Sequence, residues 1–288
     1  MQVTMLGEVE SRPRRVAVGE FDGVHLGHRE VIAGADTVLT FDPHPLAVVR
    51  PQAAPKLLTS LEAKAKLISE LGVTELVVIP FDRTFAAQSA SAFVDEILVN
   101  RLQATHVSVG ENFRFGHGAE GDASLLARDT RFVTKVVTLV EADGEVVSSS
   151  HIRGLVLAGD VEQASRLLGA PFSLWGEVVV GDRRGRTLGF PTANLVPDEE
   201  LVCPGHGVYA ARADGACAAV NVGVRPTFGT GRAVLVEAYL LDQDVDLYGQ
   251  VLRVEFLARL RGERRFASAE ELVAQMHQDV ELTRRLCG

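Results

Sequence analysis

Gly19-Glu20-Phe21-Asp22-Gly23-Val24-His25-Leu26-Gly27-His28 is the stretch that decides the fold. It follows a short apolar run, Val16-Ala17-Val18, and leads into a helical pattern, so it reads as the turn between a buried strand and a helix. At such a turn, backbone amides and the positive end of the helix dipole face outward together and favour a bound phosphate. His25 and His28 stand three apart, about one helical turn, and can converge on the same anion. Gly27 carries no side chain to keep a triphosphate away. This donor set suits nucleotidyl transfer, in which negative charge grows on phosphate oxygens and needs prepositioned donors more than a covalent nucleophile. Glu20 works the other way, because it brings a carboxylate to the same loop.

Outward from this turn, Thr37-Val-Leu-Thr-Phe41, Glu75-Leu-Val-Val-Ile79 and His106-Val-Ser-Val109 read as further buried strands. A helix over 61–71 is predicted between them, opened by Thr59-x-x-Glu62 as a capping box and closed by Gly72, and a second over 92–102. The alternation implies a parallel sheet with right-handed crossovers, whose ligands bind beyond the carboxyl ends of its strands. Only a helix of about two turns fits between His28 and Thr40, given the residues a crossover needs.

After a predicted hairpin turn at Asp143-Gly144, two short helices over 151–158 and 161–168 read as a hinge. From Phe172 the texture changes to glycine-punctuated β segments, 174–180, 207–212, 218–222, 234–241 and 251–257, which predict an antiparallel barrel. A terminal helix over 268–286 follows, with Ser268-x-x-Glu271 as its capping box. The fold class is therefore α/β plus all-β, in two domains, 1–158 and 159–288, of a 288-residue chain.

Composition narrows the function. The net charge of −9 repels a polyanion, so a nucleic-acid partner is disfavoured while small phosphates remain. Cys203, Cys217 and Cys287 form no CxxC pair and read as free thiols. With no leader pattern at the N-terminus and no apolar run of spanning length, a cytoplasmic protein without a membrane partner is expected. A homo-oligomer is compatible with all of this.

HxGH alone is a short motif, but three further segments each follow a strand of the same sheet and would face the same crevice. They are Thr40-Phe-Asp-Pro-His44-Pro45; Gly110-Glu-Asn112-Phe-Arg-Phe-Gly116, whose phenylalanines would pack beneath a base or ribose; and Ser148-Ser149-Ser150-His-Ile-Arg153, a hydroxyl cluster with an arginine suited to clamping phosphate. In the second half, Gly181-Asp-Arg-Arg-Gly185-Arg-Thr-Leu-Gly189-Phe-Pro191-Thr192-Ala-Asn194 can arch over a triphosphate, with Thr192 and Asn194 offering the hard oxygens Mg²⁺ prefers. Downstream, Asn221-Val-Gly-Val-Arg-Pro-Thr-Phe228 precedes a strand bearing Glu237, which is either a general base or a solvated strand glutamate. Arg261 to Phe266 is either a flap over a ligand or a charged turn.

In their order, GEFDGVHLGH, TFDPHP, GENFRFG, SSSHIR, GRTLGFPTAN, NVGVRPTF, VEAYLLD and DLYGQ resemble the bacterial bifunctional riboflavin kinase/FAD synthetase family over nearly the whole chain. The resemblance implies a Rossmann-like nucleotidyltransferase domain that adenylylates FMN to FAD, and a barrel that first phosphorylates riboflavin to FMN, each using ATP and Mg²⁺. Riboflavin, FMN and ATP are then the small-molecule partners. Carried over by motif, His25 and His28 stabilise the triphosphate in the first reaction, and Gly19, Phe21, Asp22, His44, Asn112, Ser149, Ser150 and the catalytic Arg153 complete the nucleotide and FMN site. In the kinase half, Gly181, Gly185, Gly189 and Pro191 cover ATP, Thr192 and Asn194 hold the metal, Glu237 takes the ribityl hydroxyl proton, and Arg261 contacts flavin phosphate. The competing readings are a kinase alone, with a degenerate first domain, and a non-enzymatic flavin-binding module.

Overall fold

The computed structural model describes residues 1–179, 190–227, 231–243, 245 and 247–288. The chain divides into two compact units, Met1–Ser149 and Ser150–Gly288.

Six strands make the sheet of the first unit: β1 (Gln2–Met5), β2 (Arg14–Val18), β3 (Thr37–Asp42), β4 (Glu75–Pro80), β5 (Ala104–Gly110) and β6 (Val133–Val137). Their order is β1-β4-β3-β2-β5-β6, and every pair is parallel. Successive residues serve opposite faces, as the two-residue period of a strand requires. Val16 and Val18 join Leu39, Phe41, Val77 and Val107 in one core, while Ala17 joins Val38, Leu76 and Val78 in the other. Both faces are therefore buried, which is why these strands read as continuous apolar runs. The edge strands β1 and β6 lack that signature; in β6 no residue is buried, and neither strand was predicted.

The two-turn helix after β2 is observed as α1 (Leu26–Ile32). The next predicted helix is α2 (Leu61–Ser69), but its N-cap is Ser60, whose side chain accepts from the Ala63 amide, rather than Thr59. Thr59 is committed elsewhere: its hydroxyl accepts from Gly23 N at 3.1 Å and donates to Asp22 at 3.3 Å. The segment predicted over 92–102 is a single α-turn, Ala90–Ala92, widening into a π-helix, Phe93–Arg101. Leu102 N there bonds the Ile97 carbonyl five residues back, at 2.8 Å. The wider turn keeps Phe93, Val94, Ile97, Leu98 and Leu102 all in the core.

At the amino ends of the strands, Arg14 is 1% exposed and forks onto Glu75 at 2.8 and 3.2 Å. Burial alone would raise the Glu75 pKa, but the Arg14 hydrogen bonds and charge, with Arg12, outweigh it and hold it below the usual carboxylate range. This pair locks the end of the sheet opposite the ligand edge. Asp143 and Gly144 both take positive φ, 54° and 79°, in the predicted hairpin turn.

The second unit opens with α3 (Ser149–Ala158, all but its first residue) and α4 (Val161–Leu168), which stops at a left-handed Gly169. A closed antiparallel barrel follows, built from β7 (Phe172–Val179), β8 (Ala193–Leu195), β9 (Gly207–Ala213), β10 (Ala216–Thr227), β11 (Gly231–Leu240) and β12 (Val251–Arg261), in the order β7-β8-β11-β10-β9-β12. Helix α5 (Ala269–Cys287) is capped by Ser268, whose side chain accepts from Glu271 N as predicted. Buried Asp279 anchors α5 to β12 through Arg261, at 2.8 to 3.1 Å.

Candidate functional site

The loop after β2 is set by its own backbone. Phe21 and Val24 hold positive φ, 51° and 45°, although neither is glycine, and both are 1% exposed. Left-handed backbone at such residues costs about 1–3 kcal/mol each and needs surrounding structure to hold it. Asp22 supplies much of that structure. Its carboxylate, 2% exposed, accepts from Leu58 N at 2.9 Å and Thr59 N at 3.1 Å, and its carbonyl accepts from the Ser149 hydroxyl at 3.0 Å. These Asp22 oxygens thus brace the loop, a duty sequence spacing does not reveal because the partner lies 36 residues on.

His25 caps α1: its Nδ1 accepts from His28 N at 3.2 Å. The two imidazoles stack with centroids 3.5 Å apart and planes 16° from parallel, and Phe21 meets His28 edge-on at 5.4 Å. Gly27 serves this stack, since a Cβ there would lie 3.3 Å from the His25 ring. A Cβ at Gly19 would likewise come within 3.1 Å of the Phe21 ring. After β3, His44 caps the short helix Pro45–Val49, its Nδ1 accepting from Leu46 N at 3.1 Å. After β5 comes the Asn112 loop, with Asn112 exposed and Phe115 buried beneath against Phe93, 5.2 Å between centroids. Strands β3, β2 and β5 are neighbours, so these three loops share the carboxyl edge of the sheet. The chain steps from β2 to β3 on one side and returns to β5 on the other, which is where open α/β sheets bind ligands. In the second unit, Ser150 and Arg153 lie one turn apart on α3, the guanidinium donating to the Ser150 hydroxyl at 3.4 Å; against expectation, the Ser148–Arg153 segment follows the hairpin of Glu141–Ala142 and Glu145–Val146 and not a strand of the parallel sheet.

Glu20 is the residue whose role in this loop changes most. Its Oε1 is buried and has no hydrogen-bond partner among the described residues. Burial pushes its pKa up to about 8; Lys64 pulls it down, and Asp22 and Asp42 add to the rise. The carboxyl is thus largely protonated at neutral pH, which removes the negative charge the sequence alone would place there. Because the folded chain holds this proton well above the ordinary 4.5, stability should fall as pH rises between 4.5 and about 8 and then level off. Glu20→Gln should match the wild type near pH 4.5 and melt progressively higher than it up to pH 8. Each 1 kcal/mol gained is worth about 2–4 °C at this chain length. Thermal melts across that range check it, and parallel pH curves for the two proteins would refute it.

In the barrel, Glu237 pairs directly with Asn194 of β8 on one side and Asn221 of β10 on the other. Val236, Ala238 and Leu240 are buried, so Glu237 belongs to the opposite, less buried face of β11. Asn221 Nδ2 donates to Glu237 Oε2 at 3.2 Å. Asn194 is 6% exposed, and its Nδ2 donates to the Thr192 carbonyl at 3.4 Å. Phe190 fixes the start of this segment, edge-on to Tyr239 at 5.2 Å and to His277 of α5 at 5.1 Å, while the next residue, Pro191, is exposed. Gly181, Gly185 and Gly189 lie outside the described residues.

Arg261 requires a correction. It is the last residue of β12 and not part of a flap, and its guanidinium is ion-paired with Asp279. Nothing in its local sequence showed that partner, 18 positions away. Among the described residues, no group of three or more His, Cys, Asp or Glu side chains could hold a metal, and no helix is long and apolar enough to cross a membrane.

A family model described as FAD synthetase matches residues 8–151, and one described as riboflavin kinase matches residues 168–287. The bifunctional riboflavin kinase/FMN adenylyltransferase of Escherichia coli (strain K12) is 40% identical over 94% of this chain and 91% of its own. That of Bacillus subtilis (strain 168) is 37% identical over 92% and 89%. A solved structure described as a macrolide-efflux protein from Streptococcus pneumoniae is 30% identical, with a TM-score of 0.89 over 99% of both chains.

Proposed function

The chain belongs to the bifunctional riboflavin kinase/FMN adenylyltransferase family, and from that premise we propose how its residues divide the two reactions. It phosphorylates riboflavin to FMN with ATP, then adenylylates FMN to FAD with a second ATP, releasing pyrophosphate. Domains 1–158 and 159–288 carry the adenylyl transfer and the phosphorylation respectively.

In adenylyl transfer, the FMN phosphate oxygen attacks the α-phosphorus of ATP and pyrophosphate leaves. His25 and His28, stacked at the N-terminus of α1, supply preset donors to the charge that builds on the triphosphate, together with the amides of the Gly19 loop. The strained, Asp22-braced backbone is what supports this reading, because a loop held at that cost is preorganised rather than assembled on binding. His44, Asn112 and Ser149 complete the nucleotide and FMN contacts.

In phosphorylation, Glu237 takes the proton of the ribityl hydroxyl as its oxygen attacks the γ-phosphorus, and ADP leaves. The observation that carries this is the carboxylate flanked in register by two carboxamides, on a face where a solvated glutamate would need neither. Thr192 and Asn194 suit Mg²⁺, since the ion is held by few protein oxygens and completes its shell with phosphates and water. Bound there, it would neutralise charge on the phosphates of ATP. Arg261 retains a secondary part, approaching the flavin phosphate only by sharing its guanidinium with Asp279. The net charge of −9 supports small-molecule partners over nucleic acid, and a cytoplasmic location completes the reading.

The test is to incubate the full chain with riboflavin, ATP and Mg²⁺ and to resolve the flavins chromatographically over time. FMN should appear first and FAD after it, and neither should form when EDTA replaces the metal. FMN without FAD would mean that the first domain lacks its chemistry; flavin binding without turnover would mean a carrier.

A further inference from the structure

We propose that Asn221 is a positioning residue for phosphoryl transfer: it holds one carboxylate oxygen of Glu237 so that the other faces the hydroxyl proton. The inference rests on Glu237 being the base.

Three adjacent strands, β8, β11 and β10, place Asn194, Glu237 and Asn221 in one row, each directly opposite the next. Directly opposed residues share a face, with Cβ atoms about 4.5–5.5 Å apart, close enough for a carboxamide to reach a carboxylate. The two asparagines are chemically alike but differently committed. Asn194 turns its amide nitrogen to the Thr192 carbonyl at 3.4 Å. Asn221 turns its amide nitrogen to Glu237 Oε2 at 3.2 Å. One carboxamide thus donates to backbone, and the other donates to the base.

A glutamate on a strand keeps a broad terminal torsion, so its oxygens sweep unless something fixes them. Proton transfer requires one oxygen within hydrogen-bond reach of the hydroxyl during attack. The Asn221 bond to Oε2 supplies the restraint and leaves Oε1 to receive the proton: the hydroxyl O–H breaks and Oε1–H forms, while the ribityl oxygen bonds the γ-phosphorus and the bond from the γ-phosphorus to the ADP oxygen breaks.

The experiment is steady-state kinase kinetics of full-length Asn221→Ala and Asn221→Asp, with adenylylation of added FMN measured alongside. A hydrogen bond to a charged group is worth about 1.5–3 kcal/mol, so kcat for FMN formation should fall about 10–100-fold in Asn221→Ala. KM for riboflavin and ATP should stay within about twofold, since ground-state binding is not what is lost. Asn221→Asp should be worse than Asn221→Ala although it keeps the shape, because two carboxylates would then share the row. A space-filling role predicts the reverse order, so Asn221→Asp outperforming Asn221→Ala would overturn the proposal. So would wild-type kcat in Asn221→Ala. If Asn221→Ala melts early, the near-isosteric Asn221→Asp still decides the matter. Glu237→Gln separates the two failures: if it is inactive while Asn221→Ala is fully active, the base stands and the positioning role falls; if it is active, both fall.

Discussion

Glu237→Gln is expected to abolish conversion of riboflavin to FMN while leaving adenylylation of supplied FMN at the wild-type rate. The substitution is nearly isosteric, and a glutamine oxygen can still accept the Asn221 hydrogen bond seen at 3.2 Å, so the row across β8, β11 and β10 survives. What disappears is the lone pair that takes the hydroxyl proton. General base catalysis is worth about 10²–10⁴ in rate, and kcat for FMN formation should fall by that much with little change in KM. Adenylylation is the internal control, because His25 and His28 belong to the other compact unit. FMN formation at the wild-type rate would remove Glu237 from the mechanism.

His28→Ala should produce the opposite pattern, with FMN accumulating and FAD formation lost. Removing a preset donor to developing charge costs about 10²–10³ in kcat. His28 is a cleaner probe than His25, since His25 Nδ1 also caps α1 by accepting from His28 N, and losing a cap costs about 0.5–2 kcal/mol of stability in addition. His28→Ala removes the stack on His25 and the edge-on approach of Phe21. Flavin chromatography with FMN and ATP reads the result, and undiminished FAD output would eliminate the proposed role.

Several features of the candidate sites were legible because they are local. A phosphate-binding turn needs its glycines and histidines at fixed offsets, and a helix start needs its cap within three residues, as Ser268 and Glu271 illustrate. Features made between distant segments left no local trace. Thr59 and Glu62 had the spacing of a capping box, yet Asp22, 37 residues before Thr59, claims its amide, and Ser60 caps the helix instead. The Asn221 amide is unremarkable until strand pairing sets it against Glu237, 16 positions on.

By itself the sequence determined the two textures, the central strands of the parallel sheet, the closing helix and the motif-bearing loops, because period, capping and turn preferences act over a few neighbouring residues. The tertiary structure decided the rest. It added the exposed edge strands β1 and β6, whose pairing depends on hydrogen bonds to a neighbour rather than on an apolar period. It tied Arg261 to Asp279 and Asp22 to the backbone of Leu58 and Thr59. It also turned Glu20 from a fixed charge into a carboxyl that titrates at about 8, since burial and the company of Asp22 and Asp42, which together outweigh the pull of Lys64, exist only once the chain has folded.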